Sequence, residues 1–236
     1  MSSIAFFQFN DKPVIHHKEP LGESRLIIWD RSELLEFDNT GTHFLFVFDG
    51  SAKVRQLHSQ EQYCDCLIGQ FYYAAIPGQF TLEGQGRGIV ITRFNHFGLF
   101  SLGGPVEAEG RLRYIDGCTD TLIIPPTRIG DPCLNLLFIP RGTQQTNHTH
   151  PSSRMGIVID GEGICRTPTE DTLIKSGTIF HIPENCQHSF HTDNHHLKVI
   201  AYHPDSDCGP DDQNHPMVNR TFVQGIPANR VPRLLT

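Results

Sequence analysis

The stretch FLFVFDG at Phe44–Gly50 returns 111 residues later as MGIVIDG at Met155–Gly161. Each is an apolar run closed by Asp-Gly, a two-residue turn signal. Gly69 followed by FYYAAIP (Phe71–Pro77) returns in the same way as Gly177 followed by TIFHIP (Thr178–Pro183), with the offset falling to 106 residues. A repeat of this period, with drift that small loop-length changes explain, predicts two similar β-modules in tandem. The expected domains are residues 1–105 and 106–236, with the join in the Gly/Pro/Glu-rich stretch Ser101–Glu109.

Working outward from the repeat, the chain offers almost no helical periodicity. Its apolar or alternating segments are short and bounded by Gly, Pro, Asp or Asn: Arg25–Trp29, His43–Phe48, Ala52–Gln56, Phe71–Ile76, Ile89–Phe94, Cys133–Ile139, Met155–Ile159, Gly163–Thr167, Thr178–Ile182, Gln187–His191 and Leu197–His203. Short strands at this spacing predict an all-β sandwich or barrel. The 21 Gly and 16 Pro agree with many tight turns. A chain of 236 residues, 38% hydrophobic, can bury a sizeable core. Its net charge of −7 argues against a nucleic-acid partner, since phosphate neutralisation needs surplus Lys and Arg. No apolar run approaches the roughly 18 residues of a membrane span, and Ile4–Phe7 is too short for a signal-peptide core. Seven cysteines at irregular spacing form neither a disulfide framework nor a zinc-ribbon pattern; Cys64 and Cys66, on one face of an expected strand, read as buried free thiols, and the whole as a reduced, cytoplasmic protein.

Nine of the 14 histidines lie from His148 onward. In GTQQTNHTH (Gly142–His150), His148 and His150 point the same way if the segment is extended, close enough to share one ion. Gly177-x5-Pro183-x4-His188 puts a third imidazole just after a strand and turn. Neutral nitrogen donors suit Fe, Zn, Cu, Ni or Mn.

Those two stretches resemble the motifs of the cupin superfamily, G-x5-H-x-H-x3,4-E-x6-G and G-x5-P-x-G-x2-H-x3-N. Gly142, His148, His150 and Gly161 match the first, and Gly177, Pro183 and His188 the second. The resemblance implies tandem double-stranded β-helix (jelly-roll) barrels, a bicupin, with a metal held by His148, His150 and His188. Arg154 stands where the family has a glutamate ligand, Asn185 replaces the second motif's glycine and Thr192 its asparagine. Arginine cannot ligate a metal, so the implied site has three histidines and no carboxylate, as in some cupin dioxygenases. In the first repeat, Phe37, Asn39 and Leu82 occupy the places of His148, His150 and His188, so that module is expected to be degenerate and the chain to hold one metal.

Arg154 keeps the parity of His148 and His150, and either points inward, where it can clamp a substrate carboxylate, or is swung outward by the Pro151 turn. His181 and His191 are candidate general acids or bases, as is His203, each against a reading as an ordinary half-buried histidine. Gln144 and Gln145 sit just before the ligand segment. The loop 203–216 suits a lid or a subunit contact; its aspartates lack EF-hand spacing. Met217–Gly225 reads as a short strand and the tail to Thr236 as an extended arm. The expected activity is that of a mononuclear metalloenzyme acting on a small, carboxylate-bearing metabolite, with Fe(II) and dioxygen favoured. Isomerisation, epimerisation, decarboxylation or lyase chemistry is the alternative, and a non-catalytic ligand-binding module the third reading. A homodimer is compatible with all of them.

Overall fold

The computed structural model describes residues 3–20, 22–31, 33–57, 63–211 and 215–231. Strands of the first half are β1 (Ala5–Gln8), β2 (Ile15–Glu19), β3 (Gly22–Trp29), β4 (Leu35–Phe37), β5 (Gly41–Asp49), β6 (Ala52–Leu57), β7 (Tyr63–Ile68), β8 (Tyr73–Pro77), β9 (Phe80–Gly84), β10 (Arg87–Phe94) and β11 (Ser101–Gly103). Those of the second half are β12 (Leu112–Arg113), β13 (Thr119–Ile124), β14 (Cys133–Ile139), β15 (Arg154–Arg166), β16 (Asp171–Lys175), β17 (Thr178–Ile182), β18 (Ser189–His191) and β19 (Leu197–His203). The chain is all-β apart from short helical turns, and among the described residues no helix is long and apolar enough to cross a membrane.

Each half is two facing sheets, and their strand orders correspond. The large sheet of the first half runs β11-β8-β5-β10-β3-β2, that of the second β1-β17-β15-β19-β14-β13-β12. The small sheets are β4-β9-β6-β7 and the far end of β15 flanked by β16 and β18. The first strand crosses over: β1 pairs with β17, Ala5 opposite His181 and Gln8 opposite Thr178. Residues 5–8 therefore lie in the sheet of the second half, although the sequence boundary places them in the first.

The repeated apolar run explains how the halves meet. Strand alternation sends Phe44 and Phe46 to one face of β5 and Leu45 and Val47 to the other. Leu45 and Val47 pack inside the first half with Trp29, Phe80 and Leu82. Phe44 and Phe46 join Met155, Ile157, Ile159, Ile200 and Tyr202 of the second half in one buried cluster. The two large sheets thus face each other across a shared apolar layer, and a sheet covered on both sides needs an unbroken apolar strand. At its centre, Tyr202 Oη and Ser24 Oγ, both buried, are 3.1 Å apart and hydrogen bonded.

The Asp-Gly pairs do different work from the hairpin turns that the sequence predicts. At Asp49-Gly50 the chain passes from the large sheet to the small one, while β15 runs through Asp160-Gly161 with a register shift between Val158 and Asp160. Met155–Ile159 and Gly163–Thr167, expected as two strands, are accordingly one bent strand. A Cβ on Gly161, whose φ is +78°, would meet the His196 carbonyl oxygen at 1.8 Å, so the bend requires glycine. At the other end of the chain, Met217–Gly225 is not a strand. Pro216–Arg220 forms one helical turn and Phe222–Val223 pairs with Ile226–Pro227. Residues 212–214 of the predicted loop and 232–236 of the predicted arm lie outside the described residues.

Ile157 is fully buried in the shared layer. Ile157→Ala should cost about 2–5 kcal/mol, and the variant should still unfold in one transition by fluorescence and circular dichroism together. Two separated transitions would contradict a core common to both halves.

Candidate metal centre

The centre is built where the second half folds its two motifs against each other. His148 and His188 form an isolated antiparallel bridge, each backbone N–H donating to the other's carbonyl at 3.0 Å. His150 lies two residues on, on the same side, and its carbonyl accepts from Asn185 N–H at 2.8 Å. Asn185 has φ +58°, a left-handed conformation that Asn tolerates better than most residues. It takes up the turn that glycine makes in the family motif. Thr192 likewise serves in its asparagine's place: Oγ1 donates to Pro140 O and accepts from Thr143 N–H at 3.1 Å.

The three rings converge. Their centroids are 5.0 Å apart for His148 and His150, 4.6 Å for His148 and His188, and 5.1 Å for His150 and His188. One ring nitrogen of each lies within 4.8 Å of the other two. His148 Nδ1 is 2.9 Å from Thr146 O, and His188 Nδ1 is 2.9 Å from Cys186 O. A carbonyl can only accept, so both Nδ1 atoms carry the proton and both Nε2 lone pairs point away from the backbone. His188 Nε2 is buried with no hydrogen-bond partner. Backbone-anchored Nδ1–H groups with orphaned Nε2 atoms are what a metal-binding imidazole set needs, and the donors fit a divalent ion.

Burial keeps the His150 and His188 rings neutral. Burial, followed by the Arg154 charge, lowers the His150 pKa to about 3; burial also takes His188 to about 4, against the pull of its Cys186 hydrogen bond. Protons compete poorly for these nitrogens near neutral pH.

The triad sits in the wall of a cavity of about 380 Å³. Leu122, Leu137, Phe180, Ile182, Phe190 and Val199 give it an apolar lining. Arg154 lines it too, so the chain does not swing outward at Pro151. Its Nη1 donates to Ser152 O (3.0 Å), Ser152 Oγ (2.7 Å) and Ser153 O (2.9 Å), and Ser152 Oγ donates in turn to Asp205. Nε of Arg154 is buried without a partner. Burial draws the guanidinium below its usual pKa while Asp205 opposes, and an arginine stays charged at any physiological pH. Residues 205–208 of the 203–216 loop close one side of the cavity, pinned by Gly130 N–H to Ser206 O at 2.8 Å.

Two candidates from the sequence do not reach the cavity. On β17 the lining residues are Phe180 and Ile182, so alternation turns His181 to the opposite face, where its ring lies tilted against that of His17, centroids 4.7 Å apart. On β18, Phe190 faces in and His191 out, its Nδ1 2.8 Å from Gln144 Oε1 and its Nε2 2.8 Å from Ser189 Oγ. Gln145 is buried and structural: its Oε1 accepts from Phe190 N–H at 3.0 Å. His203 does line the cavity, and burial together with the Arg154 charge pushes its pKa well below the usual histidine value.

Sequence reading missed Asp120 and Tyr114, both in the cavity wall. Burial raises the Asp120 pKa to about 6, although Asn135 Nδ2 donates to its Oδ1 at 2.9 Å. The signal was present: Asp120 shares a strand face with Leu122, but the strand that carries both, β13, is not among those the sequence predicts.

In the first half the corresponding ground is plugged. Phe37 pairs with Phe80 as His148 does with His188, their rings stacked at 4.4 Å, with His43 at 5.1 Å from each. The partner of Phe37 is thus Phe80 and not Leu82, which the offset of 106 suggested and which pairs with Leu35 instead. Neither phenylalanine can hold a metal.

Comparison with known proteins agrees with this geometry. Residues 135–201 match the cupin domain family. No curated protein matches the chain. Among solved structures, the cupin 2 conserved barrel domain protein from Leptotrichia buccalis superposes with a TM-score of 0.60 at 14% identity, over 84% of this chain and 95% of that one. A serine-to-alanine mutant of Bacillus subtilis oxalate decarboxylase gives 0.56 at 12%, over 90% and 80%. A study of the Mn(II) centres of that oxalate decarboxylase gives 0.53 at 11%, over the same shares. At such identities the likeness is one of fold.

The buried imidazoles set a pH dependence. Below pH 6.5 the unfolded chain takes up protons that His43, His150, His181 and His188 of the metal-free fold refuse until about pH 3–4. Stability must therefore fall as pH drops from 6.5 towards 4. Denaturant midpoints of chelator-treated protein across that range should decline; a level profile would mean the rings are charged or exposed.

Proposed function

We propose that the chain is a bicupin, with residues 1–105 and 106–236 as two β-helix barrels, and that the second is a metal-dependent enzyme for a small carboxylate-bearing substrate. The matching strand orders of the halves support the duplication. The observation that carries the activity is the juxtaposition in one cavity of three converging imidazoles and, in place of a fourth, anionic ligand, the buried guanidinium of Arg154.

Each residue then has a task. His148, His150 and His188 would hold the ion, and hydrogen bonds from Nδ1 to backbone carbonyls fix the His148 and His188 rings. Arg154, with Nη1 tied to the Ser152–Ser153 backbone, offers its remaining N–H groups to a carboxylate. The apolar walls exclude water and select a substrate whose body is hydrophobic; oxalate, which has none, would leave most of the 380 Å³ unfilled. A divalent ion so bound supplies a Lewis acid with full double positive charge and open positions for substrate and a second small ligand. A three-histidine set without a carboxylate favours Fe(II) and a dioxygenase reaction. Lyase, decarboxylase or isomerase chemistry is the second reading, and Asp120 favours it: a carboxyl with a pKa of about 6 beside the site can hold or release a proton near neutral pH. The seven cysteines, none of them in a disulfide, suit a reducing cytoplasm.

Protein purified anaerobically should contain close to one equivalent of Fe per triad. With a panel of apolar thiols, diketones and hydroxy acids, it should consume oxygen. Zn or Mn at the triad, with turnover but no oxygen uptake and with loss of turnover in Asp120→Asn, would establish the second reading. Ligand binding without turnover that persists in His148→Ala would reduce the site to a binding module.

Arg154→Glu separates the two roles of the cavity. It should slow metal loss to a chelator and weaken binding of a carboxylate ligand at least tenfold. Unchanged values of both would remove Arg154 from substrate binding.

A further inference from the structure

A second group of metal-type donors lies where the two halves touch, on the side of β17 that faces away from the cavity. His17 and Glu19 are alternate residues of β2 and share a face; Glu184 reaches them from the turn between β17 and β18. His17 Nε2 is 3.3 Å from Glu19 Oε1 and 3.3 Å from Glu184 Oε2, and the three donor atoms all lie within 4.8 Å of one another. Glu19 is buried, His17 and its neighbour His181 are half-buried, and Glu184 is exposed.

An ion pair between a protonated His17 and the two carboxylates explains this arrangement poorly. A charged N–H bound to a carboxylate closes to about 2.7–2.9 Å. Here Nε2 stands 3.3 Å from both oxygens, and it is buried without a hydrogen bond to either. Ligand atoms on a tetrahedral ion with bonds of about 2.0–2.1 Å are, by contrast, separated by roughly 3.3 Å. Two carboxyl groups around one imidazole also offer a donor set that suits a divalent cation. Glu19 contributes even though its Oε1 already accepts from Ser153 N–H at 2.5 Å, because a carboxylate offers about four lone-pair sites. His181 adds a second imidazole against the first, ring centroids 4.7 Å apart, and its Nε2 is again buried and unpartnered.

We infer that His17, Glu19 and Glu184 form a second divalent-cation site, a structural one that fastens the first half of the chain to the turn leading into His188. One nitrogen and two oxygens with an open fourth position suit Zn²⁺, and Mn²⁺ is the next candidate. The site is distinct from the triad: its donors lie on the side of β17 that faces away from the cavity, and its role needs no substrate.

The test uses the full chain stripped with chelator and titrated with Zn²⁺ by calorimetry, with bound metal measured after dialysis. The variant His148→Ala/His150→Ala/His188→Ala should still bind one equivalent, and Zn²⁺ should still raise its thermal midpoint. Adding Glu184→Gln, a change at an exposed side chain, should weaken that binding at least tenfold and abolish the thermal shift. In the otherwise unaltered chain, Glu184→Gln or His17→Gln should lower the stoichiometry from two to one, so the result does not depend on the triple variant folding. A folded triple variant that binds no Zn²⁺ would overturn the site. So would Zn²⁺ binding that neither Glu184→Gln nor His17→Gln weakens. Loss of the triad's equivalent alone, with this one retained, would bear on the catalytic reading and not on this site.

Discussion

The structure depends on one apolar layer held between two large sheets. Phe44, Phe46, Met155, Ile157, Ile200 and Tyr202 come from both halves and fill a single cluster, so neither half has a complete outer surface without the other. This explains the composition of the repeat itself. A sheet exposed on one side would show alternating polar residues, whereas FLFVF and the run around IVI are apolar at successive positions because both faces are covered. It also explains why β1 can leave its own half: the edge of β17 is open, and Ala5–Gln8 covers it while Phe9 packs into the shared layer.

The layer frees the opposite faces of the large sheets, and there the two halves diverge. Phe37 and Phe80 stack in one half where His148 and His188 bridge in the other. His43 stands where Arg154 stands, and it hydrogen bonds with Thr92 Oγ1 at 2.9 Å instead of facing a cavity. The same backbone therefore serves as packing in one half and as a ligand frame in the other. What differs is a handful of inward side chains, each in a position fixed by strand alternation.

Alternation also decides what could be read from the chain alone. The His148, His150 and His188 spacing was legible because strand periodicity and a turn bring them together without knowledge of distant contacts. His181 and His191 were misjudged by the same rule: each is one residue out of phase with cavity-lining neighbours, Phe180 and Ile182 or Phe190, and parity counted from His188 would have turned His191 outward. The short strands β4, β9, β12, β13 and β16 were not legible, since polar residues interrupt each of them and none carries a run of four apolar positions. Asp120 was lost with β13. The His17, Glu19 and Glu184 group lay beyond any local reading, because residues 17 and 184 meet only when the halves pack.

The replacement of a ligand carboxylate by Arg154 changes the electrostatic logic of the cavity. A glutamate at that position would lower the net charge of a bound divalent ion and occupy one coordination position. Arg154 does neither, and it adds a positive charge that already depresses the protonation of His150, His188 and His203. A cavity carrying an ion and a guanidinium is strongly electropositive within apolar walls, where charges are weakly screened. Asp205 offsets part of this through Ser152, whose hydroxyl donates to it and accepts from Arg154. An anionic ligand touching both centres would offset the remaining charge, and the proposed preference for a carboxylate-bearing substrate rests on that imbalance.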